Sequence, residues 1–148
     1  MDMFALAAFS PGVALYIYDS PTVTIVPGVT VATDSFFAGF NSANMMGSLL
    51  GRWLSYRLVA RHPLLYAVFL LAGATIMLMR VPYLVPLSTF LTMFGDGLIY
   101  GTTTRHIDSS VPANYNLVAT SCWCLLGDVG AITGTNLIVF FRSIATYP

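Results

Sequence analysis

Long apolar runs alternate along this chain with short clusters of Pro, Asp and Arg. A helix needs roughly 20 apolar residues to cross a hydrocarbon core of about 30 Å. Four windows approach that length: residues 35–56, 63–79, 82–103 and 114–141. The first follows Asp34-Ser35, a pair that reads as a helix N-cap. The second is uninterrupted and closes on Arg80, with His62-Pro63 reading as its start. The third carries Pro86 in its first turn and Asp96 inside, and the fourth carries Asp128 inside and ends at Arg142. Residues 104–113, with His106, form the one evident hydrophilic loop. Residues 1–33 are apolar but irregular, interrupted at Pro11-Gly12, Asp19-Ser20-Pro21 and Pro27-Gly28. That segment predicts either a broken membrane helix or a short interfacial helix followed by an extended piece. The expected fold is all-α: a polytopic integral membrane protein of about four transmembrane helices over residues 34–148, behind the irregular N-terminal segment.

Composition sharpens this picture. The chain is 57% hydrophobic and only 8% charged, whereas soluble domains carry roughly 25% charged residues. There is no Lys, Glu or Gln, the usual residues of water-exposed helix faces. Formal net charge is zero, with no basic patch, which argues against nucleic-acid binding. If the spans alternate in direction, Arg52, Arg57, Arg61 and Arg105 fall on one side and Arg80 and Arg142 on the other. The positive-inside rule then places the first group on the cytoplasmic or matrix side. The aromatic residues Trp53, Tyr56, Tyr66, Tyr83 and Tyr115 fall near span ends, where amphipathic rings favour the interface. The first residues lack a positive region, so they read as neither a secretory signal nor a transit peptide.

Polar groups inside apolar windows are the candidate functional residues. An ionised carboxylate at mid-membrane costs several kcal/mol unless it is paired or protonated. Asp96 and Asp128, with Asn41 and Asn44, are therefore candidates for a proton or solute site, or for structural pairing. Arg52 is the candidate counter-charge by depth. Arg52, Arg57 and Arg61 at one helix end can snorkel or hold anionic lipid headgroups. Helices in lipid need close van der Waals contact, and small residues four apart provide it. Three such stripes occur: Ala43, Gly47 and Gly51; Gly97 and Gly101; Gly130 and Gly134. They predict packing within the chain or against a helix of another chain.

Cys122 and Cys124 lack zinc spacing and point to nearly opposite sides of a helix, so they read as small buried residues with no mutual disulfide. No nucleophile–base set, phosphate loop or His pair at ligand spacing occurs. No catalytic residue, metal or cofactor is expected, and the chain does not read as an enzyme.

Several segments resemble the C-terminal half of a major-facilitator-type transporter. Gly47-Ser-Leu-Leu-Gly51-Arg52 is similar to the end of the eighth helix in that family. The run from Pro82 through Gly95-Asp96-Gly97-Leu98-Ile99-Tyr100-Gly101 resembles the tenth helix. Cys122-Trp-Cys124-Leu-Leu-Gly127-Asp128-Val-Gly130-Ala-Ile-Thr-Gly134 resembles the eleventh. The nearest branches are battenin-like and equilibrative-nucleoside-transporter-like, the latter through Phe140-Phe141-Arg142-Ser-Ile144. The resemblance covers about two thirds of this chain but only about a third of such a transporter. The family rocks two halves around a midplane site, and the first half has no counterpart here. The resemblance therefore implies a transporter-derived piece that serves as a small non-catalytic accessory subunit of a larger membrane complex. Its expected partners are other transmembrane subunits and membrane lipids, and its expected location is the mitochondrial inner membrane, which is rich in such subunits. The alternative is a half-transporter module that oligomerises to move a proton-coupled small polar solute, with Asp96 and Asp128 handling the proton.

Overall fold

The computed structural model describes residues 2–8, 14, 18, 20–58, 62–140 and 143. A short helix, α1 (Asp2–Ala8), precedes a hairpin of β1 (Thr22–Val26) and β2 (Val29–Ala32). Among the described residues the helices α2 (Thr33–Ser55), α3 (Ala67–Leu78), α4 (Val85–Ser110) and α5 (Ala113–Asn136) follow. Single 3-10 turns at Pro63–Tyr66 and Pro82–Leu84 lead into α3 and α4. The described residues are thus mainly helical, with one small antiparallel hairpin among them.

The hairpin forms because β-branched residues flank a Pro-Gly pair. Val26 pairs with Val29 across the turn, and Gly28 takes φ 90°, which only glycine adopts without strain. The alternation of the strand turns Val23 inward, where it joins a core of Tyr18, Phe36, Phe40, Met77 and Val85. That core seals the end of the bundle where α2 and α4 begin and α3 stops. Burial pushes the Tyr18 hydroxyl up to about 12, a rise that the Arg80 guanidinium partly opposes.

Beyond that end, α4 is the hub, and glycines set the spacing on two of its sides. Gly47 and Gly51 of α2 lie against the backbone carbonyls of Phe90 and Phe94. A Cβ at Gly97 would come within 2.9 Å of Arg52 N and Ser48 O of α2. Gly101 faces Ser55. On the other side, a Cβ at Gly95 would meet Phe69 Cβ at 2.9 Å, and one at Gly73 of α3 would meet Ser88 O at 2.7 Å. Positions two apart on a helix point about 200° apart, so Gly95 and Gly97 serve different neighbours. The order of contacts makes α2 parallel to α4 and α3 antiparallel to it. Tyr100 packs on Trp123 with ring centroids 5.0 Å apart, and Asn116 Nδ2 donates to Asp108 Oδ1 at 2.6 Å. Those contacts make α5 antiparallel to α4, so successive helices alternate in direction.

Several expectations change. The first long helix starts at Thr33 after the extended Ala32, with no side-chain cap from Asp34 or Ser35, because it continues directly from the hairpin. Residues 104–110 are helical rather than loop, since polar residues there do not interrupt helical bonding. Thr104 Oγ1, for one, donates to Tyr100 O at 3.0 Å. Only Val111-Pro112 breaks the chain there: Val111 is extended, as a residue before proline prefers. His106 consequently lies on α4. Two helical stretches are long and apolar enough to cross a membrane, Pro82–Ser110 and Ala113–Asn136. The stretch Pro63–Leu78 is apolar but shorter, rising only about 26 Å. Helix α2 is long enough but too polar for the same test, with Asp34, Asn41, Asn44 and Arg52 along it.

The seam yields a paired prediction. Gly97→Ala should lower stability by about 1–3 kcal/mol, because the methyl group meets backbone that cannot swing away. Gly39 of α2 has nothing within 4 Å of an added Cβ, so Gly39→Ala should be neutral or stabilising by up to about 1 kcal/mol. Thermal unfolding of both variants in mild detergent, followed by circular dichroism, checks this; equal midpoints would remove the seam as the source of stability.

Candidate functional site

The polar candidates do not converge on one site. Asp96 is 3% exposed. Its helical face also carries the buried Thr89, Thr92 and Ile99, and Ile99 packs on Leu70, Tyr66 and Ala67. Asp96 therefore lies inside packed helices. Asn44 lines an open depression of about 390 Å³ with Met45, Ser48, Leu49, Arg52 and Met93. Asn41 is exposed one turn earlier and is not among its lining residues. Asp128 is exposed on α5 and lines a smaller depression of about 110 Å³ with Met3, Trp123, Cys124 and Gly127. Asp96 lines neither.

Buried hydroxyls run along α4, a feature that the apolar windows alone do not show. Ser88 Oγ donates to Gly73 O of α3 at 2.7 Å, Thr92 Oγ1 to Ser88 O at 2.9 Å, and Thr102 Oγ1 to Leu98 O at 2.6 Å. Each hydroxyl is satisfied by a carbonyl, which removes most of the cost of burying it. The spacing of Ser88, Thr92, Gly95 and Thr102, by four, three and seven residues, keeps them on one helical face and is the sequence signal that marks this seam.

The glycine stripes meet specific neighbours. Gly47 and Gly51, with Ala43 partly buried one turn earlier, belong to the α2–α4 contact together with Gly97 and Gly101. Gly130 and Gly134 instead face α1: a Cβ at Gly134 would meet Phe4 O at 2.5 Å, and one at Gly130 would meet Phe4 N at 3.4 Å. Apart from this strip and the contacts of Trp123 and Asn116 with α4, α5 is open. Only 6% of its most apolar window is buried, against 50% for α4. Cys122 and Cys124 are accordingly exposed and free rather than buried, because no helix covers that side of α5 among the described residues.

The arginines serve different elements. Arg105 Nη1 reaches from α4 to the carbonyls of Ser55, Tyr56 and Leu58 at 3.0, 2.9 and 3.2 Å. It thereby supplies acceptor groups at the end of α2 with a cationic donor. The Arg57 guanidinium lies 5.7 Å from the Trp53 ring centroid, and Arg61 is outside the described residues. Arg52 lies over Tyr100, 5.3 Å from the ring centroid.

These contacts also fix heights. Gly51 opposite Gly97 and Ser55 against Gly101 put Arg52 level with Leu98, near the middle of α4. Tyr100 on Trp123 and Asp108 on Asn116 put Asp128 level with Asp96. Arg52, Asp96 and Asp128 therefore share one layer, with Asp96 inside and the other two on outer faces.

No family model, curated protein or solved structure matches the chain. Function must therefore be argued from the geometry itself. What that geometry offers is helix-to-helix attachment: a closed seam, an arginine cap and a long helix with most of its surface open.

Removing the Arg105 cap has a local consequence. Arg105→Gln should loosen the end of α2 by about 1 kcal/mol, which is roughly a fivefold loss of amide hydrogen-exchange protection over residues 54–58. Unchanged exchange there would show that water serves those carbonyls equally well.

Proposed function

We propose that the chain is an integral membrane protein acting as a small non-catalytic accessory subunit of a larger membrane complex. The observation that carries this reading is the position of Asp96. A proton or solute site needs its carboxylate on a water-filled path, and alternating access needs helices that separate around it. Asp96 instead lies on α4 between glycine contacts to two neighbouring helices, in a seam where backbones touch. That placement suits a carboxylate that holds helices together.

The outer surface supports the same reading. Leu49, Leu71, Leu117 and Leu126 are all more than 60% exposed, on three different helices. Such a surface suits lipid and neighbouring helices. Small hydrophobic subunits abound in energy-coupling membranes, so the mitochondrial inner membrane is the location we propose. Of the arginines expected to hold anionic headgroups, Arg57 is exposed beyond the level of Arg52 and available to them, whereas Arg105 is taken up by the carbonyls at the end of α2. The half-transporter alternative requires Asp96 and Asp128 on a shared path, whereas at one height Asp96 is buried and Asp128 is exposed.

Gentle detergent extraction, native gel separation and mass spectrometry of the band test the proposal. The chain should migrate with other subunits at a mass far above its own 16.0 kDa, and Asp96→Asn should leave that band in place. Migration alone or as a small homo-oligomer would overturn the accessory-subunit reading in favour of the transporter module.

A further inference from the structure

The outer face of α5 carries a stripe at alternating four- and three-residue spacing: Ser121, Leu125, Asp128, Ile132 and Thr135, all exposed. The two hydroxyls of the stripe donate back to their own helix, Ser121 Oγ to Leu117 O at 2.8 Å and Thr135 Oγ1 to Ala131 O at 2.9 Å. Asp128 is the one group of the stripe left with a demand. Among the described residues it makes no hydrogen bond or ion pair. It lies about 12 Å from the nearer end of α5, too far for so short a side chain to reach the end of the helix. A carboxylate held there in an apolar layer calls for a cation at the same height.

The chain itself carries that cation on another face. Arg52 is exposed, lines the open depression beside Asn44 and Ser48, and is within about two residues, or ~3 Å, of the height of Asp128. Copies inserted in the same direction are related by an axis along the membrane normal, which preserves height. We propose that a second copy of this chain docks its α5 stripe into the α2 depression of the first, with Asp128 of one copy paired to Arg52 of the next. The two patches differ, so the contact is head-to-tail and leaves a free α5 and a free α2 face for extension. This contact does not depend on which other chains surround it.

The test uses the full chain in its own membrane, with Cys122→Ser and Cys124→Ser removing the native thiols. One tagged copy carries Met45→Cys and a differently tagged copy carries Ile132→Cys, two exposed positions that the same register puts level. Oxidation should give a disulfide-linked pair bearing both tags. Asp128→Asn or Arg52→Gln should each reduce the yield about tenfold or more, while combining Asp128→Arg with Arg52→Asp should restore it. Absence of the mixed pair, or a yield indifferent to both neutralising variants, would overturn the proposal. On native gels, a linked pair at high mass supports both this contact and the accessory-subunit reading. A linked pair found only as a small homo-oligomer keeps the contact and overturns that reading. High mass with no link overturns the contact alone.

Discussion

Backbone contact between α2 and α4 is the constraint on which the rest of the molecule depends. Gly47, Gly51 and Gly97 let the two helices meet without intervening side chains, so their carbonyls and amides lie at van der Waals distance. Close backbone packing of this kind is an attraction that holds helices together whether or not hydrophobicity drives them to associate. The contact fixes more than spacing. It sets α2 parallel to α4, brings Arg52 over Tyr100, and delivers Arg105 to the carbonyls that end α2. Because α2 and α4 run the same way, the chain between them must return, and α3 is that return.

A hub helix with neighbours on two sides needs small residues on both, and α4 has them two positions apart at Gly95 and Gly97. Its remaining inward positions are filled by Ser88, Thr89, Thr92 and Thr102 as much as by Val85 and Leu98. Hydroxyls permit this because they return their hydrogen bonds to nearby carbonyls while occupying little volume. The result is a helix apolar enough to cross a membrane whose core-facing side is largely polar by composition. Its burial thus comes from packing rather than from greasiness, which fits its low amphipathicity.

Much of this was legible in the residues. The four-residue glycine spacing marks the faces that touch, and Pro27-Gly28 marks the place where the chain turns as a hairpin. The alternation of helix direction follows from short connections. What the residues do not carry is pairing. Nothing in Gly130 and Gly134 says that they meet α1 rather than α4, since any small-residue face accepts any other. The helical extension to Ser110 was hidden because Thr, Ser and Asp look like loop by polarity, although only Pro112 stops the backbone. The exposure of Cys122 and Cys124 was hidden for a related reason. An apolar environment in the sequence does not distinguish the inside of a bundle from an apolar outside. The capping role of Arg105 needs the relative heights of two helices, which periodicity within either one cannot give.

Asp96 and Asp128 meet the same electrostatic problem in different ways. Both sit beside glycines, at one height, on helices of membrane-spanning length. For Asp96 the glycines are occupied by the chain's own helices, and the carboxylate is enclosed with them. For Asp128 the nearby glycines are occupied by α1, a helix of only seven residues, which covers one strip of α5 and leaves the carboxylate outside it. The glycine strip fixes the rotation of α5: with Gly127, Gly130 and Gly134 held on α1, Asp128 must face out. The close packing that secures α5 to its own chain is therefore what leaves Asp128 exposed on its outer face.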